Sequence, residues 1–169
     1  MNDKIPDWTQ FTKRIYIDKH PSEVYKAWAV PENITEWFLE KADYTDGNGN
    51  KREPAVFIQP GDKHAWKWHN WDFTEEGEVI AANADTEIAF TFGSGGNVFV
   101  YLKESKGGTE LELIQKDIPK DEAGKMNQYV GCSNGWTFWL TNLKAWLEHG
   151  ITLHAKGLEQ TDTENRVNS

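Results

Sequence analysis

The stretch that most restricts the fold is residues 134–150, NGWTFWLTNLKAWLEHG, with Trp136, Trp139 and Trp146 inside eleven positions. From about Glu122 to His149 the apolar set Met126, Tyr129, Val130, Trp136, Leu140, Leu143 and Leu147 recurs at three- to four-residue spacing, and Trp139 and Trp146 widen that stripe. Gly150 suits the position just past a helix end, and His149 suits the negative end of the helix dipole. The spacing predicts one continuous helix of roughly 26–28 residues, about 40 Å long at 1.5 Å per residue. Such a rod can cross a whole small sheet, and its aromatic face must be covered by one. Gly131 and Gly135 lie inside it at a cost of about 1 kcal/mol each against alanine, which suggests a bend or a close backbone approach.

The rest of the chain supplies the sheet. FTKRIYID (11–18) alternates as a strand. Pro21 then suits a first helical position, and Pro31 ends that helix and starts another, in which Ile34, Trp37 and Phe38 share a face. DYTDGNGNKRE (43–53) is a turn region. Its Gly-rich DGNGN is a hairpin turn rather than a phosphate cradle, because no helix or GK[ST] follows. PAVFIQ (54–59) reads as a strand, as does HAWKWHNWDF (64–73), where a bulge near Asn70 would explain why Trp71 and Phe73 change parity after Trp66 and Trp68. Strands at 77–84, 86–92, 97–104 and 109–115 are joined by short turns, so they are antiparallel. The class is α+β, with two short helices after the first strand.

The 169 residues fit one domain, read as 1–155, and the polar, aperiodic 156–169 reads as a disordered tail. Net charge is −9 with lysines and arginines scattered singly, which argues against nucleic acid and anionic membranes as partners. No run approaches the ~18 apolar residues of a membrane span. No signal sequence is evident at the start, and the single Cys132 excludes an internal disulfide, so a reducing, cytoplasmic setting is expected. The sequence does not settle oligomeric state.

The element order, together with YIDKHPSEVYKAWAVPENITEWF near the start, EEGEVI at 75–80 and GWTFWLTNLKAWLEHG near the end, resembles the homologues of the activator of the heat-shock-protein-90 ATPase. The resemblance covers roughly residues 9–152. That family sits in the START-related, birch-pollen-allergen-like superfamily. The resemblance implies a helix-grip fold, a curved antiparallel sheet wrapped around one long C-terminal helix, often with a hydrophobic cavity between them. It implies carriage of apolar small molecules, cyclase chemistry or a co-chaperone role in stress response. The eukaryotic activator has a further N-terminal domain that contacts the chaperone, for which this chain has no room.

With that resemblance, Trp37, Phe38, Trp66, Trp68, Phe90, Phe92, Tyr129, Cys132, Trp136 and Leu140 are the candidate lining of a ligand cavity, against the plainer reading of a filled core. Several buried indole N–H groups need acceptors, which a polar-rimmed cavity would provide. No cofactor or metal is expected. His64 and His69 differ by five positions, which puts them on opposite strand faces, and His20, His149 and His154 are scattered. Tyr129, Tyr101, Glu78 and Asp72 are conceivable acid–base groups without a motif, and no catalytic residue is assigned. Cys132 reads as a small buried hydrophobe rather than a nucleophile. The preferred reading is a binding module for a small apolar or amphipathic ligand, not an enzyme. The alternatives are a chaperone-binding domain and a cyclase- or hydrolase-like enzyme using the same cavity.

Overall fold

The computed structural model describes residues 7–163 and 165–169, so part of the N-terminal stretch read above for a signal sequence, and the start of the 1–155 domain, lie outside it. Strand β1 (Phe11–Ile17) leads into α1 (Pro21–Ala29) and α2 (Pro31–Trp37). The strands β2 (Lys41–Thr45), β3 (Lys63–Lys67), β4 (Glu75–Asn83), β5 (Glu87–Thr91), β6 (Asn97–Ser105) and β7 (Gly108–Lys116) follow. The seven strands make one antiparallel sheet in the order β1-β7-β6-β5-β4-β3-β2. This curved sheet holds a long C-terminal helix, residues 124–149, as the helix-grip expectation required.

Local signals explain most of these elements. His20 caps α1 by accepting the Ser22 backbone N–H on Nδ1, and Pro21 occupies the first turn, where no N–H is needed. Pro31 opens α2 in the same way. The DGNGN stretch is a turn, with the Asp46 carboxylate accepting the backbone N–H groups of Asn48 and Asn50.

Three elements differ from the sequence reading. PAVFIQ is not a strand: Val56 and Phe57 are exposed, and of this stretch only Ile58 enters the core. The strand lies earlier, at β2, where Tyr44 is its one large buried residue and the alternation is too weak to see. There is no bulge at Asn70. Strand β3 stops at Lys67, Asn70 adopts φ of 68°, and the chain turns there, so Trp71 and Phe73 leave the strand altogether. The register irregularity falls in β4 instead, between Val79 and Ala81.

The long helix is continuous, but its first part is not α-helical. Asp121 caps it by accepting the Gly124 backbone N–H at 2.7 Å. Gly124–Gly131 is then a π-helical stretch, and Cys132–His149 (α3) is α-helical. The i→i+5 bonding of a π-helix widens each turn and shifts the phase of the side chains. Met126, expected on the apolar stripe, is therefore 61% exposed. Along α3 the stripe holds, with Trp136, Trp139, Leu140 and Leu143 buried.

Trp28, Trp37, Phe38, Trp66, Phe90 and Trp136 form one ring cluster at the centre, with Trp28 edge-on to Trp37 at 4.8 Å and Trp66 edge-on to Phe90 at 4.8 Å. Edge-to-face pairs of this kind contribute about 0.5–1.5 kcal/mol beyond area burial. The indole N–H groups find acceptors within the protein itself: Trp37 donates to the Ala27 carbonyl, Trp66 to the Tyr44 hydroxyl and Trp136 to the Gln115 amide oxygen. Trp28 Nε1 is buried without a partner among the described residues.

Beyond the helix, the chain makes contacts with its own end. Ala155 N–H donates to the Asn168 carbonyl, and Thr163 is buried. Two asparagines of the body hold the chain that leads there. Asn142 accepts the Leu153 N–H, and Asn70 accepts the Leu158 N–H while donating to the Ala155 carbonyl.

Candidate functional site

A cleft of about 530 Å³ opens between the helix and one end of the sheet. The helix side is built by the π-helical stretch and the first turns of α3, which present Asn127, Gln128, Gly131, Cys132, Gly135 and Trp136. The sheet side comes from where strands end. Trp68 follows β3, Phe92 follows β5, and Trp71 and Phe73 sit on the loop into β4. Phe38 and Trp139 complete the aromatic wall, and Ser169 stands at its edge.

The two glycines do not serve the close backbone approach that was one of the two expectations for them. A Cβ at Gly135 would meet no atom within 4 Å, and one at Gly131 would meet only the Met126 carbonyl at 3.7 Å. Neither makes a close backbone approach. They leave the helix bare where it borders the open space.

Two glutamines order the walls of the cleft. Gln115 is fully buried, donates to the Gly95 carbonyl at 2.8 Å and accepts the Trp136 indole at 2.8 Å, which fixes that ring in the wall. Gln128 donates to the Ser94 hydroxyl, tying the π-helical stretch to the turn after β5. The Cys132 Sγ lies 3.5 Å from the Gln128 amide oxygen, and burial pushes its thiol pKa up. It is a neutral thiol, a poor nucleophile.

Glu75 is the carboxylate of the site. It opens β4 directly opposite Trp66 in β3, and opposed residues of an antiparallel pair share a face. Trp66 points into the core, so Glu75 points inward as well, while Glu76 turns to the other face. Its carboxylate rests against the α-carbon of Gly93, in the space a side chain there would take. Burial raises its pKa, and no hydrogen bond or ion pair among the described residues counters that effect. Glu75 and Cys132 are the titratable side chains among the described lining residues, and the Glu75 charge adds to burial in raising the Cys132 pKa.

The expected lining divides into two groups. Phe38, Trp68, Phe92, Cys132 and Trp136 line the cleft. Trp37, Trp66, Phe90 and Leu140 are at most 3% exposed and belong to the filled core. Tyr129 points to the other side of the helix, edge-on to Trp8 at 4.9 Å and Phe11 at 5.5 Å. The conceivable acid–base groups are elsewhere too: Glu78 pairs with Lys63, Tyr101 stacks beside Phe99, and Asp72 is exposed. His64 is buried and stacked on Trp66 at 4.1 Å, and His69 lies in the turn after β3. Among the described residues no group of three or more His, Cys, Asp or Glu side chains could hold a metal ion. No helix among them is long and apolar enough to cross a membrane. The sequence reading missed Glu75, Trp71, Phe73 and Trp139 as lining. Counting back from buried Val79 through Gly77 gives the inward parity of Glu75, which was the available signal.

Residues 18–148 match the family described as activator of Hsp90 ATPase homolog 1-like protein, and the chain belongs to that family. Solved structures share the fold at low identity. A crystal structure of a Staphylococcus saprophyticus protein superposes with a TM-score of 0.69 at 22% identity, covering 86% of this chain and 96% of that one. The solution structure of the Aha1 dimer from Colwellia psychrerythraea gives 0.64 at 13%, covering 83% and 97%. DynU16, from the dynemicin biosynthetic locus, gives 0.66 at 16%; this chain is covered to 87% and spans about half, 49%, of that protein. No curated protein matches the chain.

Proposed function

We propose that this member of the activator of Hsp90 ATPase homolog 1-like family holds a small apolar or amphipathic molecule in the cleft between sheet and helix. Binding rests on burial and ring stacking, with no covalent step. One observation supports this above the others: the helix presents glycine, at 131 and 135, where it faces the aromatic wall. A filled core would place side chains there and gain both packing and helix propensity. The volume of about 530 Å³ lies in the usual range for small-molecule sites, and the lining sets aromatic rings beside polar side chains, Glu75, Asn127 and Gln128 among them, that can fix a ligand's orientation.

Two measurements test the proposal together. Purified protein is denatured and its extract examined by mass spectrometry for a co-purified small molecule. The neutral probe N-phenyl-1-naphthylamine is titrated against native protein. Saturable one-site binding is expected, with or without an extracted molecule. Absence of both signals would reject the proposal.

A second reading, action on the heat-shock ATPase, draws on the family's description. Stimulation of purified Hsp90 ATPase by this chain would favour it, and absence of both stimulation and binding would reject it.

A further inference from the structure

The cleft is electrically one-sided. Among its described lining residues Glu75 is the one side chain with a formal charge, and no lysine, arginine or histidine faces it. That carboxylate is half-buried and has no ion pair or hydrogen bond among the described residues. A partly desolvated carboxylate without a partner is costly unless a positive charge or donors meet it. Glu75 shares the cleft with the rings of Trp68, Phe73, Phe92 and Trp136, and an aromatic ring attracts a cation over its face, where the negative part of the quadrupole lies. Trp68 lies 5.8 Å from Phe73 and 6.1 Å from Phe92, and Phe92 lies 5.7 Å from Trp136, all measured between ring centres. The glycine at 93 keeps the carboxylate in place by leaving it room. The chain's net charge of −9 adds a long-range field of the same sign.

We infer that the ligand of this cleft is an organic cation, an amine or quaternary ammonium on an apolar body, with its charged group between Glu75 and the rings of Trp68, Phe73 and Phe92. This rests on the reading of the cleft as a binding site. The rings would hold the apolar body and share the cation, and the carboxylate would fix the orientation. An anionic amphiphile would meet repulsion from the same groups.

Three probes of one shape test it: 3-phenylpropylamine, 3-phenylpropanol and 3-phenylpropionate, titrated calorimetrically at pH 7.5 and low salt. The amine is expected to bind about tenfold tighter than the alcohol, with the acid weakest. Glu75→Gln should bring the amine-to-alcohol ratio close to one. Glu78→Gln, which removes the same charge from the outer surface, should leave the ratio as it was. Equal binding of amine and alcohol to the native protein overturns the cation and leaves cleft binding standing. A preference that survives Glu75→Gln, or falls equally with Glu78→Gln, overturns the placement of the charged group at Glu75, and with it the proposal, and leaves cleft binding standing. Failure of all three probes to bind overturns the cleft as a site, and the cation with it.

Discussion

Trp66 and Glu75 are direct partners across the β3–β4 ladder, so a core tryptophan and an inward-facing acid occupy one rung of the sheet. The pairing explains why a charged residue faces the concave side. Strand parity carries the run Glu75, Gly77, Val79 to one face, and Val79 is fully buried at its far end. Gly77 makes room for the His64 ring, and Gly93 makes room for the Glu75 carboxylate. The polar members of this face are thus seated by neighbouring residues that have no side chain.

Filling the cleft should separate binding from stability. Gly135→Leu places a side chain into open space, since a Cβ there meets nothing within 4 Å. It also replaces the poorest ordinary helix former in the interior of α3, so stability should rise by up to about 1 kcal/mol. Probe binding should fall at least about tenfold, since loss of ring contact costs more than 1.4 kcal/mol. Urea denaturation and probe titration on the same sample check both effects.

Asn142 should be among the costliest single side chains to remove. It is fully buried, donates to the Trp37 carbonyl, contacts His154 Nδ1 at 3.2 Å and accepts the Leu153 N–H. Asn142→Ala leaves several of these groups buried and unpaired, at about 1–3 kcal/mol each. A loss of about 3 kcal/mol is expected in denaturant unfolding. Proteolysis should also shift to the stretch after Gly150, which this side chain fastens to the body.

Stability should fall as pH drops below about 6.5. Burial holds the pKa of His64 down to about 4, and burial with the neighbouring charges of Lys156 and His69 does the same for His154. Histidine in the unfolded chain titrates near 6.5. Between these values the unfolded state binds protons that the folded state refuses. Each contribution is therefore whole above about pH 6.5 and is lost on acidification toward 4, at up to about 1.4 kcal/mol per pH unit per histidine. Unfolding free energies at pH 7.5, 6.0 and 5.0 measure this slope, and His64→Phe should reduce it by about half. Glu75, with a raised pKa, works in the opposite direction over part of the range.

The elements with strong periodicity were legible in the sequence, and those held by isolated contacts were not. The alternation in β5 and β7 and the heptad-like stripe of α3 announce themselves. Strand β2 alternates lysine, aspartate and threonine with only Ala42 and Tyr44 between them, which leaves almost no apolar pattern. The π-helical phase of Gly124–Gly131 leaves no signature a 3.6-residue template can detect, which is why Met126 was misplaced. Fixing residues 153–158 by Asn70 and Asn142 has no periodic trace either, because the bonds join side chains to backbone about 11 to 88 residues away. At the site the ring identities were legible, but not which rings border open space. Trp66 and Trp68 have one parity, yet the strand ends between them, so the first fills the core and the second lines the cleft.

The indole region of a two-dimensional ¹H–¹⁵N NMR spectrum tests the central claim most directly, because the nine tryptophans are spread over core and cleft. On titration with 3-phenylpropylamine or N-phenyl-1-naphthylamine, the Nε1–H signals of Trp68, Trp71, Trp136 and Trp139 should move, and those of Trp28, Trp37 and Trp66 should stay nearly still. Signals that do not move at all, or shifts confined to tryptophans outside the cleft, would contradict the account.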